Sequence, residues 1–293
     1  VPIEDVRPEC QSLMRMMSGE PADRYVAELL LPTLQHAMDL DEPSISEVQN
    51  GLLDPYLCLK AIYGYYAFSR RGKDRHELAS LSIEALESCT SPENIGQFLA
   101  LADADSLWNA YVEVCGERKK KPMEQLNRGV IAGIAELAQE IHELDGSGSI
   151  AGWIVKGVRA NQRIEPQFLR MVDVRGVGPK LTSLLLRDVV FLFEIEPRID
   201  HMDRLYVQPI DKWMRLIAPY VIDEPDAADY ADWVLAGKIA KHARRAGVSG
   251  IRFNMGTAYF GLRIARSTED FVARIEAMTQ GPGSSVQRDA RML

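Results

Sequence analysis

Apolar residues recur along this chain at the three-and-four spacing of helices, and no stretch alternates convincingly as a strand would. Ala22–Met38 is one such stretch, with Leu29, Leu30, Leu31 and Leu34 marking its apolar side. Asp41-Glu42-Pro43 ends it, and Ser44 or Ser46 can cap the helix that follows. Pro55–Arg70 is apolar and aromatic, with Tyr56, Tyr63, Tyr65, Tyr66 and Phe68, the composition of a helix that crosses a core. One of its tyrosines is also a candidate for stacking on a base. Arg70-Arg71-Gly72-Lys73 closes it with charge that suits a helix C-terminus. Helical patterns continue over Glu77–Ser88, Ser91–Ala102, Asp105–Gly116 and Glu124–Leu144. Asp145-Gly146-Ser147-Gly148-Ser149 reads as a flexible joint, and Lys212–Tyr220, Ala227–Ala246 and Thr268–Met278 resume the pattern beyond it. The expected fold class is all-α, with two helical lobes. Residues 1–145 form a lobe of unassigned role, 146–279 carry the function, and 280–293 form a disordered tail.

The stretch richest in chemistry begins at Val174. Pro166–Val174 reads as a short helix, with Phe168, Leu169 and Val172 apolar, and Gly176-Val177-Gly178 as a turn. Glycine enters positive φ without steric cost, and Pro179 fits the first turn of a new helix, where its missing N–H costs nothing. Leu181, Leu184, Leu185 and Leu192 share one side of that helix, with Lys180, Ser183 and Arg187 opposite. Its first N–H groups emerge unpaired from a glycine turn, an arrangement suited to an anion such as a DNA phosphate. After the helix, Glu196-Pro197-Arg198-Ile199-Asp200-His201-Met202-Asp203-Arg204 supplies carboxylates, with Asp200 twenty residues beyond Lys180.

The string Gly176-Val177-Gly178-Pro179-Lys180-Leu181-Thr182 resembles the hairpin of the helix–hairpin–helix DNA glycosylase superfamily, the endonuclease III, 8-oxoguanine and 3-methyladenine glycosylase group. That family reads roughly Leu-Pro-Gly-Val-Gly-x-Lys-Thr-Ala, then Val-Asp-x-His after a helix. Here Arg175 replaces the usual proline, and Leu181 is inserted where threonine is expected. Ala246-Gly247-Val248 and Phe253–Gly261 look like the closing helix of such domains. The resemblance implies two lobes with the hairpin at their cleft, and cleavage of the N-glycosidic bond of a damaged or modified base flipped out of double-stranded DNA. It gives Lys180 attack at the sugar C1′, with strand-nicking lyase chemistry, or a positioning role. Arg187 nearby would help keep that amine neutral. It gives Asp200 the stabilisation of the sugar cation as the base departs. An ungapped alignment instead puts Ile199 at the catalytic position and leaves a scaffold without its carboxylate. Asp200 also suits a helix N-cap before His201–Val207, and Asp203 is the weaker carboxylate candidate. Arg175, Gly176, Val177, Gly178 and Arg187 are the expected DNA contacts. Trp153, His201, Tyr206 and Trp213 are candidates for the base pocket, each with core packing or a structural role as its alternative.

Composition narrows the picture. The chain carries a net charge of −8, against the basic footprint usual for nucleic-acid binders. Trp153–Arg215, however, holds eleven Lys and Arg against eight Asp and Glu, so a DNA face belongs there. The basic loop Arg118–Lys121 reads as solvated, with phosphate contact as its alternative. Cys10, Cys58, Cys89 and Cys115 have no metal-ligand spacing, and no cysteine follows Cys115, where relatives carry a four-cysteine iron–sulfur loop. No cofactor is expected beyond a monovalent cation at hairpin carbonyls, which the resemblance implies. Scattered cysteines and no run of eighteen apolar residues suggest a soluble cytoplasmic protein, nucleoid-associated if bacterial, with no membrane partner. A monomer is the expected state. Two other readings stay open: a DNA-binding protein without catalysis, and an α-helical interaction protein.

Overall fold

The computed structural model describes residues 7–68, 72–101 and 104–279. It is helical, with no strand among the described residues. The helices are α1 (Pro8–Ser18), α2 (Glu20–Tyr25), α3 (Leu31–Met38), α4 (Ile45–Leu53), α5 (Pro55–Ala61), α6 (Arg75–Cys89), α7 (Ile95–Leu101) and α8 (Ala104–Glu117). They continue with α9 (Glu124–Asp145), α10 (Ile150–Asn161), α11 (Glu165–Val172), α12 (Pro179–Leu192), α13 (Lys212–Ile222), α14 (Asp232–Arg245), α15 (Gly250–Tyr259) and α16 (Thr268–Thr279). None of them is long and apolar enough to cross a membrane. Arg70, Arg71 and the 280–293 tail lie outside the described residues.

Two compact units divide the chain, but not at residue 145. The first joins Val1–Leu29 to Val207–Leu293, and the second is Leu30–Tyr206. In the first unit α15 is buried along its length, and α1 and α2 pack on it. Gly256 makes that approach possible, because a Cβ there would stand 1.8 Å from the Met17 carbonyl oxygen. The expected joint at Asp145–Ser149 lies inside the second unit. Gly146 and Gly148 turn the chain at positive φ. Ser149 Oγ then accepts the Gly152 N–H to cap α10 and donates to the Leu52 carbonyl at 2.7 Å, so the turn is pinned rather than loose.

Local signals fare well where they concern caps. Ser44 accepts the Glu47 N–H at the start of α4. Ala22–Met38 is helical but passes through a π turn at Val26–Leu30, which rotates the apolar face part-way along. In the aromatic segment Tyr56, Tyr63, Tyr66 and Phe68 are buried; Tyr63 donates to the Ile131 carbonyl and Tyr66 to Asp188. Those rings pack inside the unit, while Tyr65 is half-buried. In the basic loop, Arg118 pairs with Glu84 and Lys120 with Glu77, so half of its charge is already matched.

Candidate functional site: the hairpin and the carboxylate

The hairpin is built from α11, a turn and α12. α11 ends at Val172, the Val177 N–H returns to the Val174 carbonyl at 2.9 Å, and Gly176 takes φ +86°. A side chain at Gly176 would be strained by that φ and would also strike Val130 Cγ2 at 2.4 Å. Gly178 then serves as N-cap and Pro179 as the first helical residue of α12. No side chain caps the N-terminus of α12, so the Lys180 and Leu181 N–H groups have neither a cap nor an intrahelical partner. Beneath the turn runs α9, where Gly129 and Gly133 sit one helical turn apart. A Cβ at Gly133 would meet Val174 Cγ1 at 2.7 Å, and one at Gly129 would meet Arg175 Cγ at 2.6 Å. The pair lets the turn settle on the helix backbone. A Gly-x-x-x-Gly step in an amphipathic helix is the sequence signal for this contact.

The expected DNA contacts fall into two groups. Arg175 is exposed, its aliphatic stem lying across Gly129, and Lys180 is half-buried. Among the described residues neither side chain forms an ion pair or hydrogen bond. Gly176 and Gly178 offer backbone only. Val177 is 3 % exposed, so its side chain packs inward and only its main chain faces the turn. Among the turn carbonyls, Met171, Val174 and Gly178 accept backbone N–H groups. Those of Arg175, Gly176 and Val177 accept none from backbone among the described residues, and such neutral oxygens suit a monovalent cation.

Arg187 corrects the sequence reading. It is 2 % exposed and lies in the core, where its Nε and Nη2 donate to Asp188 Oδ1 at 2.9 and 2.7 Å. It therefore neither meets phosphate nor stands as a free cation beside Lys180. α12 is buried on almost every side, Ser183 included, so the two-faced wheel read from its leucines does not describe it. Burial pushes the Asp188 carboxyl above its usual range, against the pull of Arg187 and the Tyr66 hydroxyl.

The carboxylate end lies at the other end of α11. Ile199 is 2 % exposed, whereas Asp200 is exposed. The Asp200 N–H donates to the Gln162 carbonyl at 2.8 Å, and its Oδ1 accepts the Met202 N–H at 2.8 Å, a cap for the turn that follows. His201 Nδ1 is 3.5 Å from the same oxygen and the ring is exposed, so it lines no enclosed pocket. Arg204 Nε reaches only the Ile199 carbonyl, at 3.4 Å. No hydrogen bond or ion pair joins Lys180 to Asp200 among the described residues. Their backbones flank opposite ends of α11, whose eight residues span about 12 Å.

Asp203 is structural. It is buried, and its Oδ2 accepts Arg163 Nε at 2.7 Å and the Ile164 and Glu165 N–H groups at 2.9 and 3.1 Å, capping α11 from a distance in sequence. Burial alone would raise its pKa. Arg163 and the two N–H groups outweigh burial and hold the carboxyl below its ordinary 3.8. A carboxyl depressed in the fold stabilises the protein above its unfolded pKa and loses that contribution as pH falls through the folded value. Asp203→Asn should therefore cost about 2 kcal/mol at pH 7. The gap between the two urea midpoints should close as pH falls below 3.8; a gap unchanged at pH 3 would refute the assignment.

Tyr206 is held by the same end. Its hydroxyl donates to Glu165 at 2.9 Å, its ring centroid is 4.6 Å from that of Phe168, and burial together with Glu165 pushes its pKa up to about 12. Trp153 is half-buried on α10. Trp213 belongs to the other unit, 5 % exposed, packed on Phe271 and closed over Gly261, whose Cβ would stand 2.2 Å from the indole. It is a core residue, because the indole fills the space that glycine leaves. Cys58 and Cys115 are buried thiols whose pKa burial raises, and Cys10 and Cys89 are also free.

No family model matches the chain, and no curated protein or solved structure matches it.

Proposed function

We propose that the chain is a DNA glycosylase of the helix–hairpin–helix kind, acting on a damaged or modified base in duplex DNA. The observation that carries this reading is the hairpin. Uncapped N–H groups at Lys180 and Leu181, with a Lys180 ammonium and an Arg175 guanidinium that have no ion pair or hydrogen bond among the described residues, gather on one turn seated on the α9 glycines. Backbone N–H groups at a helix start and nearby cations are the complement of a phosphodiester. Exposure favours the alignment that assigns Asp200: a group must reach solvent to meet a flipped nucleotide, and Ile199 is buried while Asp200 is not. In this reading the Asp200 carboxylate stands by the sugar as positive charge develops, and the base leaves with its bonding electrons. Either Lys180 grips phosphate while water adds to C1′ and gives up a proton, or Lys180, once deprotonated, adds to C1′ itself and, as the sugar ring opens, forms the imine from which strand cleavage proceeds.

The test is strand cleavage of end-labelled duplexes carrying a panel of damaged bases, with and without alkali. Asp200→Asn should lower base release by about two to four orders of magnitude. Breaks formed without alkali, and lost in Lys180→Ala, would add lyase activity. DNA binding with no release from any duplex would replace this proposal with a binding protein, a reading that the lack of contact between Lys180 and Asp200 favours.

A further inference from the structure

In the first unit, the C-terminal half of α14 reads Lys238-Ile239-Ala240-Lys241-His242-Ala243-Arg244-Arg245. Lys238, Lys241, His242 and Arg245 recur at i, i+3, i+4 and i+7, which places them on one helix face. The adjoining face carries Leu235, Ile239 and Ala243 into the core. The cationic face borders a cavity of about 370 Å³, completed by Arg7 and by Asp223 and Glu224 at the end of α13. Both carboxylates are already matched. Asp223 pairs with Arg7, and Glu224 accepts Lys238 Nζ at 2.6 Å and the Tyr230 hydroxyl at 2.5 Å. Lys241 and Arg245 are left with no ion pair or side-chain hydrogen bond among the described residues. His242 also lines the cavity, and its Nδ1, closed off from solvent, has no hydrogen-bond partner among the described residues.

The helix dipole favours His242 and Arg245 in the last turn, but Lys241 stands upstream of it. Like charges three and four residues apart repel, so the face costs the free protein stability. An anion in the cavity would reverse that cost. The donors suit one class of anion: an arginine fork for two oxygens, a lysine point charge for a third, and an imidazole nitrogen beside them. The volume exceeds what a bare oxyanion needs and lies in the range of small-molecule sites.

We propose that Lys241, His242 and Arg245 form a binding site for the phosphate group of a phosphate ester, separate from the hairpin. The phosphate could belong to a free nucleotide or to a nucleic-acid strand. ¹⁵N-histidine NMR of the full chain distinguishes these, with inorganic phosphate, adenosine monophosphate and a short duplex as probes and His242→Gln to assign the resonance. Phosphate and the mononucleotide should each shift His242 saturably, and Lys241→Gln/Arg245→Gln should weaken that binding about tenfold or more. A matching shift with duplex would assign the site to a strand backbone, and its absence to a free phosphate ester. Lys241→Gln alone, at an exposed position, supplies the same test should the double variant fold poorly. Lys180→Ala, which probes the hairpin, should leave the phosphate and mononucleotide shifts intact, so this proposal and the glycosylase reading fail separately. No His242 shift with any probe, or a shift undiminished in the charge-removed variants, would overturn it.

Discussion

Replacing Gly256 with alanine should cost about 3 kcal/mol of stability, the upper end of what overpacking a well-filled core costs. The added methyl would stand 1.8 Å from the Met17 carbonyl oxygen, 2.8 Å from its carbon and 3.1 Å from the Ala22 nitrogen. All three are backbone atoms, so no side chain can swing aside, and α1 and α2 would have to move as bodies off α15. Gly237, within α14, is the control, because a Cβ there meets nothing within 4 Å. Gly237→Ala should stabilise by about 0.5–1 kcal/mol through the usual helix preference for alanine. Urea denaturation of the two variants reads both effects with opposite signs. Equal effects would mean that α15 does not pack on the α1–α2 corner as described.

The second large effect concerns Arg187 and Asp188, at 2 % and 0 % exposed. Arg187→Met alone should cost about 3–5 kcal/mol, because it strands a carboxylate in a site without water. Arg187→Met together with Asp188→Leu should cost less than Arg187→Met alone, since desolvating the pair offsets much of its attraction. The double-mutant cycle decides between a buried ion pair and an exposed one. Additive losses of under about 1 kcal/mol each would return Arg187 to the surface, where the sequence reading first put it.

That misplacement shows where sequence stops being informative. Helix identity and caps are local matters, so Ser44, the Gly176 turn and Pro179 at the start of α12 could be read directly. Burial of a charged residue is not local. The leucines of α12 mark one face, and only the neighbours supplied by the rest of the second unit enclose the face that carries Arg187. Asp203 is likewise, in sequence, only a weaker carboxylate candidate beside Asp200. Its structural role depends on Arg163 and the start of α11, some forty residues earlier. Trp213 carries both a pocket and a core reading in the sequence, and the core reading holds because Gly261, distant in sequence, receives the indole. The Gly146–Ser149 joint has the composition of a linker, yet its serine is tied to Leu52. Within the candidate site, the hairpin was legible and its seat on Gly129 and Gly133 was overlooked, although the four-residue spacing was there to be read. The separation of Lys180 from Asp200 along α11 could not be read at all.

The first unit is assembled from two separate segments, with Leu30–Tyr206 lying between them in sequence. During synthesis α1 and α2 leave the ribosome well before the helix they pack on, α15, which is made more than two hundred residues later. At ordinary elongation speeds that is a wait on the order of ten to fifty seconds. Leu13, Met14, Met17 and Tyr25, all buried in the finished unit, must spend it without their partner. The intervening unit can complete itself meanwhile. The order of maturation therefore runs inward-first, with α1 and α2 joining α15 last.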